Sequence, residues 1–198
     1  MGARGHRRGF TMVEIAIALV LLGLVLANVF MVLYGTTRSY GQKNTAFETE
    51  AQVRRTLDRT ALALIGANRS TVHTVLPAPF STSEIHYETN LGVQGGELAW
   101  SEPQTIALEL GDRNKVVWTE GTGLSESRRV VWSEWARRFL AGEVPNGVDD
   151  NGNGLIDEKG LSFDLDGNSI VIRLTLEKLD RDGRPVTRTM EARVTCRN

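Results

Sequence analysis

A single cysteine, Cys196, in 198 residues leaves no partner for an intrachain disulfide and no second thiol for a CxxC zinc or redox site. Histidine is almost as scarce. His6, His73 and His86 stand apart from any cysteine or carboxylate cluster, which speaks against zinc chemistry and against a Ser/His/Asp arrangement. Neither a glycine-rich phosphate loop nor a nucleophile elbow is present. With 23 Lys+Arg against 24 Asp+Glu the formal charge is −1, so the chain lacks both the basic excess of a general nucleic-acid binder and the acidity of a disordered chain. Its length allows one domain with a core, or a smaller domain plus an anchor. What the sequence does have is an apolar run near its start that the mean hydropathy of −0.20 conceals.

That run covers residues 10–34, FTMVEIAIALVLLGLVLANVFMVLY, and follows Arg4, Arg7 and Arg8. From Ile15 to Tyr34 no side chain ionises near neutral pH, and about 20 residues of helix at ~1.5 Å each match a ~30 Å hydrocarbon core. Arginines before the run and none immediately after predict a cytoplasmic N-terminus and an exported remainder. A cleaved secretory signal would be shorter and end at a small-x-small site, which Val25 to Phe30 do not offer. A twin-arginine signal would not carry a carboxylate, here Glu14, at the head of its apolar region. A plain single-pass anchor is the third alternative. Inside a membrane helix a lone Glu costs about 2.5–3.5 kcal/mol, and no Lys or Arg follows within the next turns. Its charged partner is therefore expected from outside this helix or from processing.

The string Arg7-Arg8-Gly9-Phe10-Thr11-Met12-Val13-Glu14-Ile15 resembles the type IV prepilin signature shared by type IV pilins and the pseudopilins of type II secretion. The resemblance implies that a prepilin peptidase cuts after Gly9, that Phe10 becomes an N-methylated terminus, and that Glu14 pairs with the terminal amine of a neighbouring subunit. An ammonium and a carboxylate, each costly alone in lipid, neutralise each other in such a stack. Loss of residues 1–9 removes three arginines and no acid, taking the formal charge from −1 to about −4.

Beyond Tyr34 the helical period persists in Val53, Leu57, Ala61, Leu64 and Ile65, with Arg54, Arg55, Asp58 and Arg59 between them. A helix is expected over residues 10–67, with Gly23, Gly35 and Gly41 as points where it can bend or melt. Strand signals then take over at residues 105–110, 115–119 and 129–132, with only short strands expected between 68 and 127. Alternating runs at 169–179 and 187–196 flank Asp180-Arg181-Asp182-Gly183-Arg184-Pro185 and predict a hairpin. The expected fold class is α+β: a pilin-like long N-terminal helix, its first half transmembrane, packed on a C-terminal antiparallel sheet. The expected organisation is a leader at 1–9, a membrane or filament-core helix at 10–34, its amphipathic continuation at 35–67, and a β domain at 68–198. The closing hairpin is similar to those of J-type minor pseudopilins and W-type minor pilins.

Between the strands lies Asn146-Gly147-Val148-Asp149-Asp150-Asn151-Gly152-Asn153-Gly154-Leu155-Ile156-Asp157-Glu158. Oxygen-bearing side chains at Asp149, Asn151 and Asn153, then Gly154 and an aliphatic at Ile156, match the first eight positions of an EF-hand-like loop. The expected calcium ligands are Asp149, Asn151, Asn153 and the Leu155 carbonyl, with Asp157 or Glu158 closing the shell. Position twelve is Gly160 instead of a bidentate Glu, which leaves the closing ligand open. A metal-free Asn/Gly/Asp turn is the alternative. Pilins usually close this region with a disulfide, so an ion at a site of modest affinity is expected to serve as the staple. Asp164, Asp166 and Asn168 are candidate further ligands, although Asp166-Gly167 reads better as a hairpin turn.

Trp100, Trp118, Trp132 and Trp135 are expected in the sheet core or at a subunit interface, and Cys196 as a small packing residue. Arg128-Arg129 and Arg137-Arg138 read as solvated charge in preference to a DNA patch. The function expected is structural and non-enzymatic: a minor pilin or pseudopilin of a type IV pilus or type II secretion filament. Partners would be other subunits, prepilin peptidase, an inner-membrane assembly platform and, before assembly, membrane lipid. Nucleic acid is not among them. A tip adhesin or DNA-binding pilin, and a membrane-tethered periplasmic domain, remain as alternatives.

Overall fold

The computed structural model describes residues 10–74 and 79–196, without the side chains of residues 37–42 and 74. The expected leader, with Arg4, His6, Arg7, Arg8 and Gly9, lies outside the described residues. A long N-terminal apolar helix is followed by an antiparallel sheet, an α+β arrangement. The helix α1 spans Met12–Ile65. Its backbone stays helical through Gly23, Gly35 and Gly41, so no melted turn forms at them. A glycine costs only ~1 kcal/mol against alanine, too little to interrupt helix that flanking residues propagate on both sides. The chain divides into two compact units, Met1–Lys43 and Asn44–Asn198.

In the first unit the described residues are helical from Met12, and their large apolar side chains, from Met12 to Tyr34, are all exposed. Polar groups within the run are satisfied locally. Asn28 Nδ2 donates to the Leu24 carbonyl at 2.8 Å and Thr36 Oγ1 to the Val32 carbonyl at 2.7 Å. Such back-bonding is what a helix needs where no water is available.

In the second unit residues 44–65 of α1 bury one stripe. Val53, Leu57 and Leu64 are in the core, and Ala61 and Ile65 pack against it. Thr49, Thr56 and Thr60 share this buried face. Each hydroxyl donates to the carbonyl four residues back, at 2.7, 2.8 and 2.9 Å, which removes the cost of burying it.

The strands are β1 (His73–Thr74), β2 (Glu84–Tyr87), β3 (Asn90–Gln94), β4 (Glu97–Trp100), β5 (Gln104–Glu109), β6 (Asn114–Glu120), β7 (Arg128–Ala136), β8 (Leu161–Asp166), β9 (Ser169–Leu179) and β10 (Pro185–Thr195). Among the described residues β3 and β4 form a separate hairpin, and the others form one antiparallel sheet in the order β1-β2-β5-β6-β7-β9-β10, with β8 also pairing β9. The final hairpin runs in register from Ser169 opposite Thr195 to Leu179 opposite Pro185. Asp166 pairs with Ser169 across a two-residue turn whose Gly167 has φ 60°, so this segment is the hairpin turn that its sequence suggested.

The two faces of β9 differ as its sequence alternates. Ile170, Ile172, Leu174 and Leu176 enter the cluster that holds Val53, Leu57 and Leu64. The opposite face carries Arg173, Thr175 and Glu177, and the segment between β7 and β8 folds over it. Ala141 N–H donates to Thr175 Oγ1 at 3.2 Å, Arg137 pairs with Glu177 at 3.5 Å, and Arg173 with Glu158 at 3.2 Å. This cover holds the Asp/Asn-rich loop against the sheet. Cys196 is buried in the core cluster, and burial pushes its thiol pKa up, which suits packing and not nucleophilic attack.

Trp132 and Trp135 occupy the two positions of β7 that have no partner in β6, where the register slips. Trp132 stacks on Trp118 with centroids 6.2 Å apart. Trp135 adopts φ 71° and lies under the Arg113 guanidinium at 4.4 Å. Trp118 Nε1–H donates to Tyr87 Oη at 3.0 Å and lies 3.2 Å from Gln104 Oε1. Because Gln104 stays as an acceptor, Tyr87→Phe is expected to cost only about 1 kcal/mol in urea denaturation of the detergent-solubilised protein. A loss above about 3 kcal/mol would mean that the hydroxyl has a larger role.

Candidate functional site

Two regions carry the polar groups singled out by the sequence: the head of α1 and the loop over β9. At the head, Thr11 is the cap. Its backbone N–H and its hydroxyl donate to Glu14 Oε2 at 2.8 and 2.9 Å, and Glu14 N–H returns a bond to Thr11 Oγ1 at 3.3 Å. This reciprocal pattern is a capping box, and Thr11-Met12-Val13-Glu14 spells it in the sequence. Glu14 therefore has a local hydrogen-bonding partner within its own chain, which the reading of its charge alone missed. Phe10 stands just before the helix and is exposed. The 25 residues Met12–Thr36 are long and apolar enough to cross a membrane.

Residues 4–27, which contain Gly9, Phe10 and Glu14, match the family model of the prokaryotic N-terminal methylation motif. The chain carries the N-terminal motif of type IV pilin-like proteins. No curated protein and no solved structure matches the chain. The motif together with the apolar helix suggests an inner-membrane anchor, processing by prepilin peptidase and assembly with other subunits.

The loop over β9 is built by its own side chains. Asp149 Oδ1 accepts the N–H groups of Gly152 and Asn153 at 2.7 and 3.2 Å, and Oδ2 that of Gly154 at 2.7 Å. These bonds, the Gly154 one first, hold the Asp149 carboxyl below its ordinary range. Asp157, at φ 50°, accepts from the N–H groups of Asn146 and Gly147 at 2.9 and 3.1 Å. Asp150 holds Asn146 Nδ2 at 3.0 Å and Val144 N–H at 3.1 Å. Leu155 is buried, and its N–H donates to Asn153 Oδ1 at 2.9 Å. Asn151 and Asn153 both direct their side-chain amides at Oε2 of Glu158, which is fully buried. Its Oε1 takes Ser162 Oγ at 3.1 Å and Arg173 at 3.2 Å.

The structure thus brings Asn151, Asn153 and Glu158 together and turns Asp149 and Asp157 to backbone amides. Among the described residues no three Asp, Glu, His or Cys side chains converge as a metal-binding group. Asp166, at the end of β8, pairs with Arg193 of β10.

A residue that the loop pattern does not include joins this group. Glu143 is only 5% exposed; its Oε1 accepts Asn151 N–H at 3.2 Å, and its Oε2 has no hydrogen-bond partner among the described residues. Burial first, then the nearby Glu158, Asp150 and Asp149, raise its carboxyl pKa. Glu143 lies before the motif, so no spacing rule reaches it.

Two of the four arginines considered for a basic patch are neutralised in place. Arg129 makes a two-pronged contact with Glu109, and Arg137 pairs with Glu177. Arg128 and Arg138 lie over the rings of Trp118 and Phe139, each at 5.8 Å.

Proposed function

We propose that the chain is a structural subunit, a minor pilin or pseudopilin, of a type IV pilus or type II secretion filament. It is inserted in the inner membrane with its N-terminus cytoplasmic and its sheet domain periplasmic, cleaved after Gly9, and assembled through α1. The observation that carries this reading is the methylation motif at residues 4–27 fused to an apolar helix whose large side chains are exposed. Such a surface, about 25 residues long, is stable only in lipid or against other helices. Its work is mechanical: packing and charge neutralisation between helices, in place of chemistry at an active site. Assignment as a minor subunit rests on the irregular loop between β7 and β8 and on the resemblance of the closing hairpin.

Mass spectrometry of the membrane-extracted protein tests this. A chain beginning at Phe10 and carrying one N-methyl group is expected, and Gly9→Val should leave the precursor uncut. An N-terminus at unmodified Met1, or one beyond Ala27, would sink the reading.

A further inference from the structure

The loop matches a cation-binding pattern for eight positions and then departs from it, and the structure shows why. Position twelve is Gly160, where a Cβ would lie 1.9 Å from the Arg137 carbonyl oxygen. The chain there is re-entering the sheet, with Gly160 N–H bonded to the Arg138 carbonyl at 3.1 Å and its own carbonyl accepting Thr175 N–H at 2.7 Å. A glutamate cannot stand at that position, so any closing carboxylate has to come from elsewhere.

We propose that a hard divalent cation, calcium above others, binds between Glu143 and Glu158 with side-chain oxygens of Asn151 and Asn153, Glu143 supplying the carboxylate that position twelve lacks. Four observations place it there. Asn151 links both carboxylates, its N–H donating to Glu143 Oε1 and its amide to Glu158 Oε2. The Asn153 amide crowds onto the same Glu158 oxygen. Which amide atom faces a carboxylate follows from the hydrogen-bond network, so a cation at this point turns both oxygens toward it. The turn gives up the bonds those oxygens make to the N–H groups of Asn153 and Leu155, a modest loss against direct coordination. Glu143 Oε2 is buried with no donor among the described residues to meet it, the condition that a bound ion relieves. Finally, Arg173 pairs with Glu158, and among the described residues no cation pairs with Glu143, so one carboxylate of the pair keeps its countercharge to be supplied.

Asp149 and Asp157 then act as organisers of the backbone, and hard oxygen donors with only two carboxylates point to weak binding. Affinity in the ~10⁻⁴ to 10⁻³ M range of extracellular calcium modules is expected. The site stands independently of the filament reading.

The test is calcium chloride titration of the full-length protein in detergent after treatment with EDTA, read by thermal melting. Wild type is expected to melt several degrees higher at about 10 mM calcium than in EDTA. Glu143→Gln should melt at or above wild type in EDTA, because it removes an unmatched buried charge, yet lose the calcium-dependent rise and bind at least about tenfold more weakly. Asp157→Asn should keep the rise. A cooperative melt of Glu143→Gln in EDTA shows that the variant is folded. A wild type indifferent to calcium, a Glu143→Gln variant that keeps the full rise, or loss of the rise only in Asp157→Asn would each overturn the proposal.

Discussion

Glu14→Leu is expected to leave the chain in the membrane and remove it from the filament. The carboxylate costs about 2.5–3.5 kcal/mol on insertion, so leucine should insert as well or better. Loss of the capping box with Thr11 destabilises the first turn by only about 1 kcal/mol. In the proposed assembly the larger loss falls on the neighbour, whose terminal ammonium is left unpaired among apolar helices. Breaking one side of a buried ion pair costs about 3–5 kcal/mol, a drop of at least about a hundredfold in subunit incorporation. The capping box supplies the control. Thr11→Ala removes both side-chain bonds but keeps the carboxylate, and should reduce incorporation by no more than about tenfold. Cell fractionation and quantification of sheared filaments separate insertion from assembly. If Glu14→Leu assembles normally, or if Thr11→Ala is as damaging, the carboxylate has no pairing role.

Gly160→Ala is expected to be the most destabilising single methyl addition among the described glycines. The added Cβ meets Arg137 O at 1.9 Å and Arg137 C at 2.7 Å, both backbone atoms that cannot swing away. Arg137 is itself fixed, its N–H donating to the Thr175 carbonyl at 3.0 Å, while Thr175 N–H reaches Gly160 O at 2.7 Å. Relief of the clash therefore requires the cover segment to part from β9, exposing Thr175 and the buried Glu158. A cost above about 4 kcal/mol follows, enough to exhaust most of a typical domain's stability. Gly111→Ala is the matched control, since its Cβ meets only Arg113 O at an ordinary 3.9 Å, and should change stability by less than about 1 kcal/mol. Urea denaturation in detergent reads both. A Gly160→Ala protein within about 1 kcal/mol of wild type would show that the cover can move without cost.

The head of the chain and the body differ in how much their residues disclose alone. The apolar helix, its arginine flank, Glu14 and the Thr11 cap act through neighbours a few positions away, and local spacing is what a sequence displays. The final hairpin was legible for the same reason: alternation on both sides of a turn that keeps Ser169 opposite Thr195. The short strands before β5 were not, since β1 and β3 have neither the length nor the alternation to announce themselves and take their shape from pairing partners. Nor was the burial of Thr49, Thr56 and Thr60. A threonine on a helix reads as polar until its hydroxyl is found bonded back to its own carbonyls. The tryptophans of β7 depended on register slips that no composition encodes.

By itself the sequence determined the long apolar helix, the motif at its head and the oxygen-rich loop, because each is a pattern of adjacent residues whose physics is complete within a few turns of chain. Tertiary structure alone decided how the loop is held and which side chains meet under it. The polar face of β9 draws the cover segment down, Arg173 takes one oxygen of Glu158, Gly160 is squeezed against Arg137, and Glu143 is buried beside Asn151 with an oxygen left over. Those constraints act between strands and loops distant in sequence, and only the closing of the fold brings their charges together.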